Sequence, residues 1–171
     1  RTFMLFTSHR ALKLAARWVR DRLVFQALPL KVLVQGEAPR DSLIRDFRED
    51  GHAILLGSAS FWEGVDVRGH ALSVVIIDKL PFQSPDDPKF KARLKGLELK
   101  GLDGFRHCQL PQAVLTLKQG MGRLIRDAND FGVVYLGDCR LKTKNYGKQI
   151  LKALPPMPEA HDVDHACAFL D

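Results

Sequence analysis

Residues 1–36 read RTFMLFTSHRALKLAARWVRDRLVFQALPLKVLVQG, and the punctuation of this stretch decides the fold. Residues 3–7 are a short β-rich run, and residues 8–10 lead into ALKLAARWVRDRLVFQAL (11–28), a helical pattern that stops before Pro29. Residues 31–35 form a second apolar run, closed by Gly36. Strand, loop, helix and strand make the unit from which parallel sheets are built. The alternation continues, with a helix over about residues 39–49, where Pro39 suits a first turn, and strands at 53–56, 72–77 and 133–136. LSVVII at 72–77 is the most continuously apolar of these runs, and such runs predict strands covered on both faces. The expectation is an α/β chain with an open, mostly parallel sheet and helices on both faces.

In such sheets ligands bind beyond the carboxyl ends of the strands. Those ends carry Thr7 and Ser8, Gly36 and Glu37, residues 57–60, Asp78 and Lys79, and Asp138 and Arg140. Every strand must end in a polar loop, so the edge marks a site without naming its ligand.

Residues 110–126, LPQAVLTLKQGMGRLIR, hold the most informative side chains. At about 100° per helical residue, Val114, Leu117, Met121, Leu124 and Ile125 fall on one stripe, and Gln119, Arg123 and Arg126 on the other side. Gly120 and Gly122 flank that polar row, each costing about 1 kcal/mol in a helix, which suggests close approach of another body. A guanidinium fork matches phosphate oxygens and stays charged at any working pH. A second chemical stretch, GSASFWEGVDVRG (57–69), follows the third strand. Ser58 and Ser60 are short hydroxyl donors where backbone can approach a phosphate. Glu63 and Asp66 repel DNA phosphates but can accept from a ribose or orient an arginine. One of Phe61 and Trp62 is expected in the core, with base stacking the alternative for the other.

Residues 80–110 open with LPFQSPDDP, whose prolines predict a rigid extended loop, and continue into a basic helical segment with Lys89, Lys91, Arg93, Lys95 and Lys100. That face is either simply solvated or in contact with nucleic acid. Residues 155–171 read as a linker and a short closing element in which His161 and His165 are surface histidines without a further ligand set, so no metal site is expected. A length of 171 residues with 46% hydrophobic residues supports one globular domain, and a net charge of +6 favours a polyanionic partner over a membrane. Cys108, Cys139 and Cys167 form no CxxC pair, which points to a reducing, intracellular setting rather than a disulfide or zinc framework. No apolar run reaches the roughly 20 residues of a membrane span. The chain starts inside a strand, as a piece of a longer polypeptide would.

QGMGRLIR (119–126) resembles motif VI of superfamily 2 helicases in the QxxGRxxR form of the XPD/DinG branch of DNA helicases. SFWEGVD (60–66) resembles their motif V, LFTSHRAL (5–12) their motif IV, and PFQSPDDP (81–88) the loop that follows in DinG-like proteins. The order is that of a second, RecA-like motor domain, spanning residues 1–171, with 80–110 as an insertion and 155–171 as a tail. GRLIRDANDFGVVYLGDCRL and YGKQILKALPPM are most similar to the YoaA-type DinG branch.

The resemblance implies a set of roles. Arg123 and Arg126 would reach the terminal phosphates of ATP, with Gln119 helping to set the site. Glu63, Gly64 and Asp66 would lie on the nucleotide side. Thr7, Ser8, Ser58 and Ser60 would hold phosphates of single-stranded DNA as the motor moves 5′ to 3′. It also implies a first motor domain elsewhere in the polypeptide, which would bind most of the ATP and Mg²⁺ and carry an iron–sulfur cluster. A bacterial cytoplasmic, nucleoid-associated protein of DNA repair or replication follows, with the chi subunit of the polymerase III clamp loader as a further partner. This chain holds neither a GxxxxGK[ST] loop nor a DEAH-like box, since Gly147 and Lys148 are followed by Gln149. A self-contained nucleotidase is therefore excluded. The other class left open is a nucleic-acid-binding or protein-docking module that keeps the motor fold without motor work.

Overall fold

A computed structural model of the chain describes residues 1–58, 61, 72–122, 124–125 and 130–170. The chain divides into two compact units: Arg1–Lys79 with Gln119–Gly137 and Pro158–Asp171, and Leu80–Lys118 with Asp138–Met157.

The first unit is built on five parallel strands, β1 (Thr2–Phe6), β2 (Val32–Val34), β3 (Ile54–Ser58), β4 (Val74–Ile77) and β5 (Val133–Leu136), in the order β2-β3-β1-β4-β5. Thr2 stands opposite Ile54 on one side and Val74 on the other, so β1 is the central strand. Successive side chains of a strand point to opposite faces. Phe6 packs with Leu12 and Ala16 of α1 (His9–Phe25) on one face, while Phe3 meets Phe47 of α2 (Arg40–Asp50) on the other, their centroids 6.5 Å apart. Helices thus cover both faces, as expected.

Local chemistry sets the helix ends. Ser8, in extended conformation, accepts a hydrogen bond from the Ala11 amide at 3.2 Å and starts α1 two residues before the expected position. Pro39 is the cap of α2 rather than its first-turn residue. Gly57 is required because a Cβ there would lie 2.7 Å from the Phe61 Cβ, which sits in the core.

Full coverage of the strands was expected and holds only in part. β4 alternates, with Val75 and Ile77 buried and Val74 and Ile76 half-buried; β5, at the sheet edge, leaves Tyr135 exposed.

The second unit contains α3 (Pro88–Glu98), most of α4 (Leu110–Met121), α5 (Arg140–Thr143) and α6 (Asn145–Ala153), with a π-helical turn at Phe105–Gln109 leading into α4. Asp87 caps α3 by accepting from the Phe90 amide at 3.0 Å, and Pro88 occupies its first turn, so the last of the three loop prolines opens a helix instead. A Cβ on Gly147 would lie 2.0 Å from the Leu141 carbonyl oxygen, so α5 and α6 pack backbone to backbone. In the tail, α7 (Val163–Ala168) is capped by Asp162, and Phe169 meets Phe131 edge-on at 6.3 Å. Among the described residues no helix is long and apolar enough to cross a membrane.

Candidate nucleotide and nucleic-acid site

The carboxyl ends of β1 and β3 place three predicted residues in the first unit. Thr7 and Ser8 are exposed after β1, and the Ser8 hydroxyl uses a lone pair to cap α1 while keeping its own proton free to donate. Ser58 ends β3 at 7% exposure, and its amide donates to Gln35 Oε1 at 2.6 Å. Glu37, after β2, is engaged by the Arg20 fork at 2.8 and 2.5 Å, an exposed pair that holds the carboxyl below its ordinary range through hydrogen bonding to Arg20. Such surface pairs contribute about 0–1 kcal/mol.

Asp78 follows β4 with its amide donating to the Leu5 carbonyl at 3.0 Å, and its Oδ2 is buried without a hydrogen-bond partner among the described residues.

The arginine-bearing segment differs from its sequence reading. The helix expected over 110–126 stops at Met121, and the Leu124 amide closes a turn onto the Met121 carbonyl at 2.9 Å. Leu117, Met121 and Leu124 are buried as expected, but Ile125, beyond the helix, is 46% exposed. Gly120 is buried rather than flanking the polar row, because it shares the inner face with Ala113 and Leu117. Gln119 is exposed on the last turn of α4. Ser60, Trp62, Glu63, Gly64, Asp66, Arg123 and Arg126 lie outside the described residues. Phe61 took the core position, 2% exposed, with the Arg40 guanidinium 5.6 Å above its ring.

The second unit holds a group that composition alone did not single out. Asp138 is 9% exposed and receives Arg140 through Nε at 2.9 and 3.0 Å and Nη2 at 2.6 Å, the Arg140 amide at 2.9 Å and the Leu80 amide at 2.8 Å. Burial pushes this carboxyl up, but the hydrogen bonds from Arg140 and from the two amides outweigh it and hold its pKa at about 2. Arg140 is thereby fixed with its guanidinium 5.2 Å from the Phe82 ring centre. Phe82, Phe105 and Tyr146 pack on one another at 5.0 to 5.9 Å, all half-buried. A cation held over partly open aromatic rings has the chemistry on which a nucleobase could stack. Its sequence signal was the Asp138-x-Arg140 spacing at a strand end; the three aromatic residues lie too far apart along the chain to be read together.

A folded pKa below the ordinary 3.8 contributes stability that is complete above about pH 5 and lost as pH falls toward 2. That shift corresponds to about 2 kcal/mol. Urea unfolding of the 171-residue chain should therefore show Asp138→Asn less stable than wild type at pH 7. The difference should shrink steadily between pH 4 and pH 2, and a pH-independent difference would refute the ionic origin.

Charge is divided unevenly between the units. The second carries twelve Lys and Arg against five Asp and Glu, a net of +7, and the first carries fourteen against fifteen, a net of −1. Lys89, Lys91, Arg93 and Lys95 are all exposed on α3. Among the described residues no group of three or more His, Cys, Asp or Glu side chains could hold a metal ion, and the three cysteines are unpaired. His161 and His165 stack at 5.3 Å on the exposed tail.

Comparison with known proteins places this arrangement. The helicase C-terminal domain family model matches residues 1–157. The ATP-dependent DNA helicase YoaA of Escherichia coli is 51% identical over 170 residues, 99% of this chain and 26% of the relative. The 3′-5′ exonuclease DinG of Bacillus subtilis is 42% identical over 154 residues, 89% of this chain and 16% of that protein. A solved XPD helicase superposes with a TM-score of 0.59 at 24% identity, over 91% of this chain and 28% of that one, a likeness of fold. The chain thus spans about a quarter or less of the length of these relatives. With a parallel RecA-like sheet of this order, and a match that runs through the segments carrying Gln119, Arg123 and Arg126, the chain belongs to the helicase C-terminal domain family in its XPD/DinG branch.

Proposed function

We propose that the chain is the second motor domain of an ATP-dependent 5′-3′ DNA helicase of the DinG/XPD type, acting in DNA repair or replication. The observation that carries this reading is QGMGRLIR at 119–126 inside a chain half identical to a DNA helicase over almost its whole length. A scaffold has no use for a glutamine and two arginines at these spacings, whereas phosphoryl transfer needs positive charge brought to the transferred phosphate from a second body.

ATP with Mg²⁺, held mainly by a first motor domain, supplies the phosphoanhydride bond whose cleavage drives the motor. From this chain, Arg123 and Arg126 neutralise charge on the phosphate oxygens, Gln119 orients them, and Glu63, Gly64 and Asp66 line the nucleotide side. Thr7, Ser8, Ser58 and Ser60 donate to phosphates of the single strand, Ser8 through the proton its cap leaves free. An iron–sulfur cluster, where the family has one, takes no ligand from this chain. By the same resemblance the protein works in the bacterial cytoplasm on the nucleoid and docks the chi subunit of the clamp loader. The test is unwinding by the full-length protein: a duplex with a 5′ single-stranded overhang should open with ATP, and equal opening from a 3′ overhang would refute the polarity.

The +7 second unit, with its aromatic group and its α3 lysines, supports polyanion binding there. Changing Lys89, Lys91, Arg93 and Lys95 together to Gln should weaken single-stranded DNA binding at low salt. It should also flatten the dependence of log K on log salt by about 0.7 for each phosphate that these cations neutralise. An unchanged slope would make α3 a merely solvated face. The Bacillus relative, named for nuclease activity, favours a second reading in which the domain binds nucleic acid without motor work. ATP-independent binding with no strand opening by the full-length protein would select it.

A further inference from the structure

We propose that the outward face of α1 docks an acidic amphipathic helix of a partner protein. An ordinary covering helix has one apolar stripe, and α1 has two. Leu12, Ala16 and Val19 are buried against the sheet. Leu14, Trp18 and Phe25 fall within about 40° of one another at 100° per residue, on the opposite side. They are 59%, 67% and 80% exposed. The stripe is about 16 Å long at 1.5 Å per residue, three turns of a helix. Val24, about 100° round the helix from Phe25, and Leu28 are also exposed, and with Arg20, Leu23 and Ala27 they line a separate pocket of about 320 Å³. Ala27, at φ 52°, makes the turn that shapes this end.

The charge beside the stripe selects the occupant. The helix carries Arg10, Lys13, Arg17, Arg20 and Arg22 against Asp21 alone. Arg20 is engaged by Glu37 and Arg22 lies over the Phe25 ring at 5.4 Å, while Arg10, Lys13 and Arg17 have no carboxylate partner among the described residues. A second copy of the chain would set these cations against their own kind. Nucleic acid would find the pocket's cation, Arg20, already held by Glu37, in the unit whose net charge is −1. Apolar anchors at helical spacing with Glu on their flanks satisfy both features, one helix packing along another as in coiled-coil pairing. The face lies along α1 and the loop into β2, away from the carboxyl strand ends that carry Thr7 and Ser58.

The test uses the full-length protein and a fluorescein-labelled 16-residue peptide with Leu at i, i+4, i+7 and i+11 and Glu on both flanks. Saturable anisotropy is expected. Trp18→Ser with Phe25→Ser should weaken it by about ten-fold or more, the effect of losing an aromatic anchor. Lys13→Glu with Arg17→Glu should weaken it and reduce its salt dependence, while DNA-stimulated ATP turnover of all variants stays at the wild-type level. Absence of saturation, or equal affinity for the peptide with every Glu replaced by Lys, would overturn the proposal. Displacement by an oligo-dT strand would assign the face to nucleic acid instead, and dimerisation abolished by Trp18→Ser would assign it to a second copy. Shielding of Trp18 from acrylamide in the free protein, read against Trp18→Phe, would assign it to another part of the same polypeptide.

Discussion

Arg123→Ala in the full-length protein should lower DNA-stimulated ATP turnover by about 10³-fold or more, within the 10³ to 10⁵ range attributed to arginines supplied to a transferring phosphoryl group. A thousand-fold loss is about 4 kcal/mol of transition-state stabilisation. Phosphoryl transfer to water asks little covalent chemistry of the protein; it asks for charge at the right place on the equatorial oxygens. Affinity for single-stranded DNA without nucleotide should stay near wild type, because the role assigned to Arg123 concerns phosphates of the nucleotide. Arg123→Lys should recover only part of the loss, since a point charge replaces a planar fork. Unimpaired turnover with Ala would remove Arg123 from the catalytic role and with it the main support for motor work by this domain.

Phe47→Ala should destabilise the 171-residue chain by about 3–5 kcal/mol, the usual cost of truncating a fully buried aromatic residue. Phe47 is 0% exposed and packs on Phe3, itself fully buried in the central strand, so the vacated volume lies where α2 meets the sheet and cannot collapse without moving that helix. Trp18→Ala, which removes a larger ring from an exposed position, should stay within about 0.5 kcal/mol. The pair separates burial from residue size in one urea-unfolding series. A cost below about 1 kcal/mol for Phe47→Ala would mean that α2 does not close this face of the core.

Fold and site were unequally legible in the sequence. The five strands and the helices between them were readable because a parallel strand is a short apolar run bounded by Gly, Pro or polar residues, and each such run here has those bounds. The family was readable because the helicase resemblance rests on contiguous strings. What failed was extrapolation of a helical period past its end: from residue 110 it predicts a helix through Arg126, whereas the chain turns after Met121 and turns Ile125 outward. Periodicity describes a face only while the helix lasts, and glycines at 120 and 122 make this one easy to leave.

The order of apolar and polar residues by itself determined the α/β class, the parallel sheet and the family to which QGMGRLIR points. Tertiary structure alone decided the sheet order β2-β3-β1-β4-β5, the fixing of Arg140 by Asp138 over Phe82, and the second apolar face of α1. The physical reason is range. Hydrophobic period and turn chemistry act between neighbours in the chain, but Phe82, Phe105, Tyr146 and Arg140 meet only after folding, and whether Trp18 is covered depends on which side of α1 the sheet occupies.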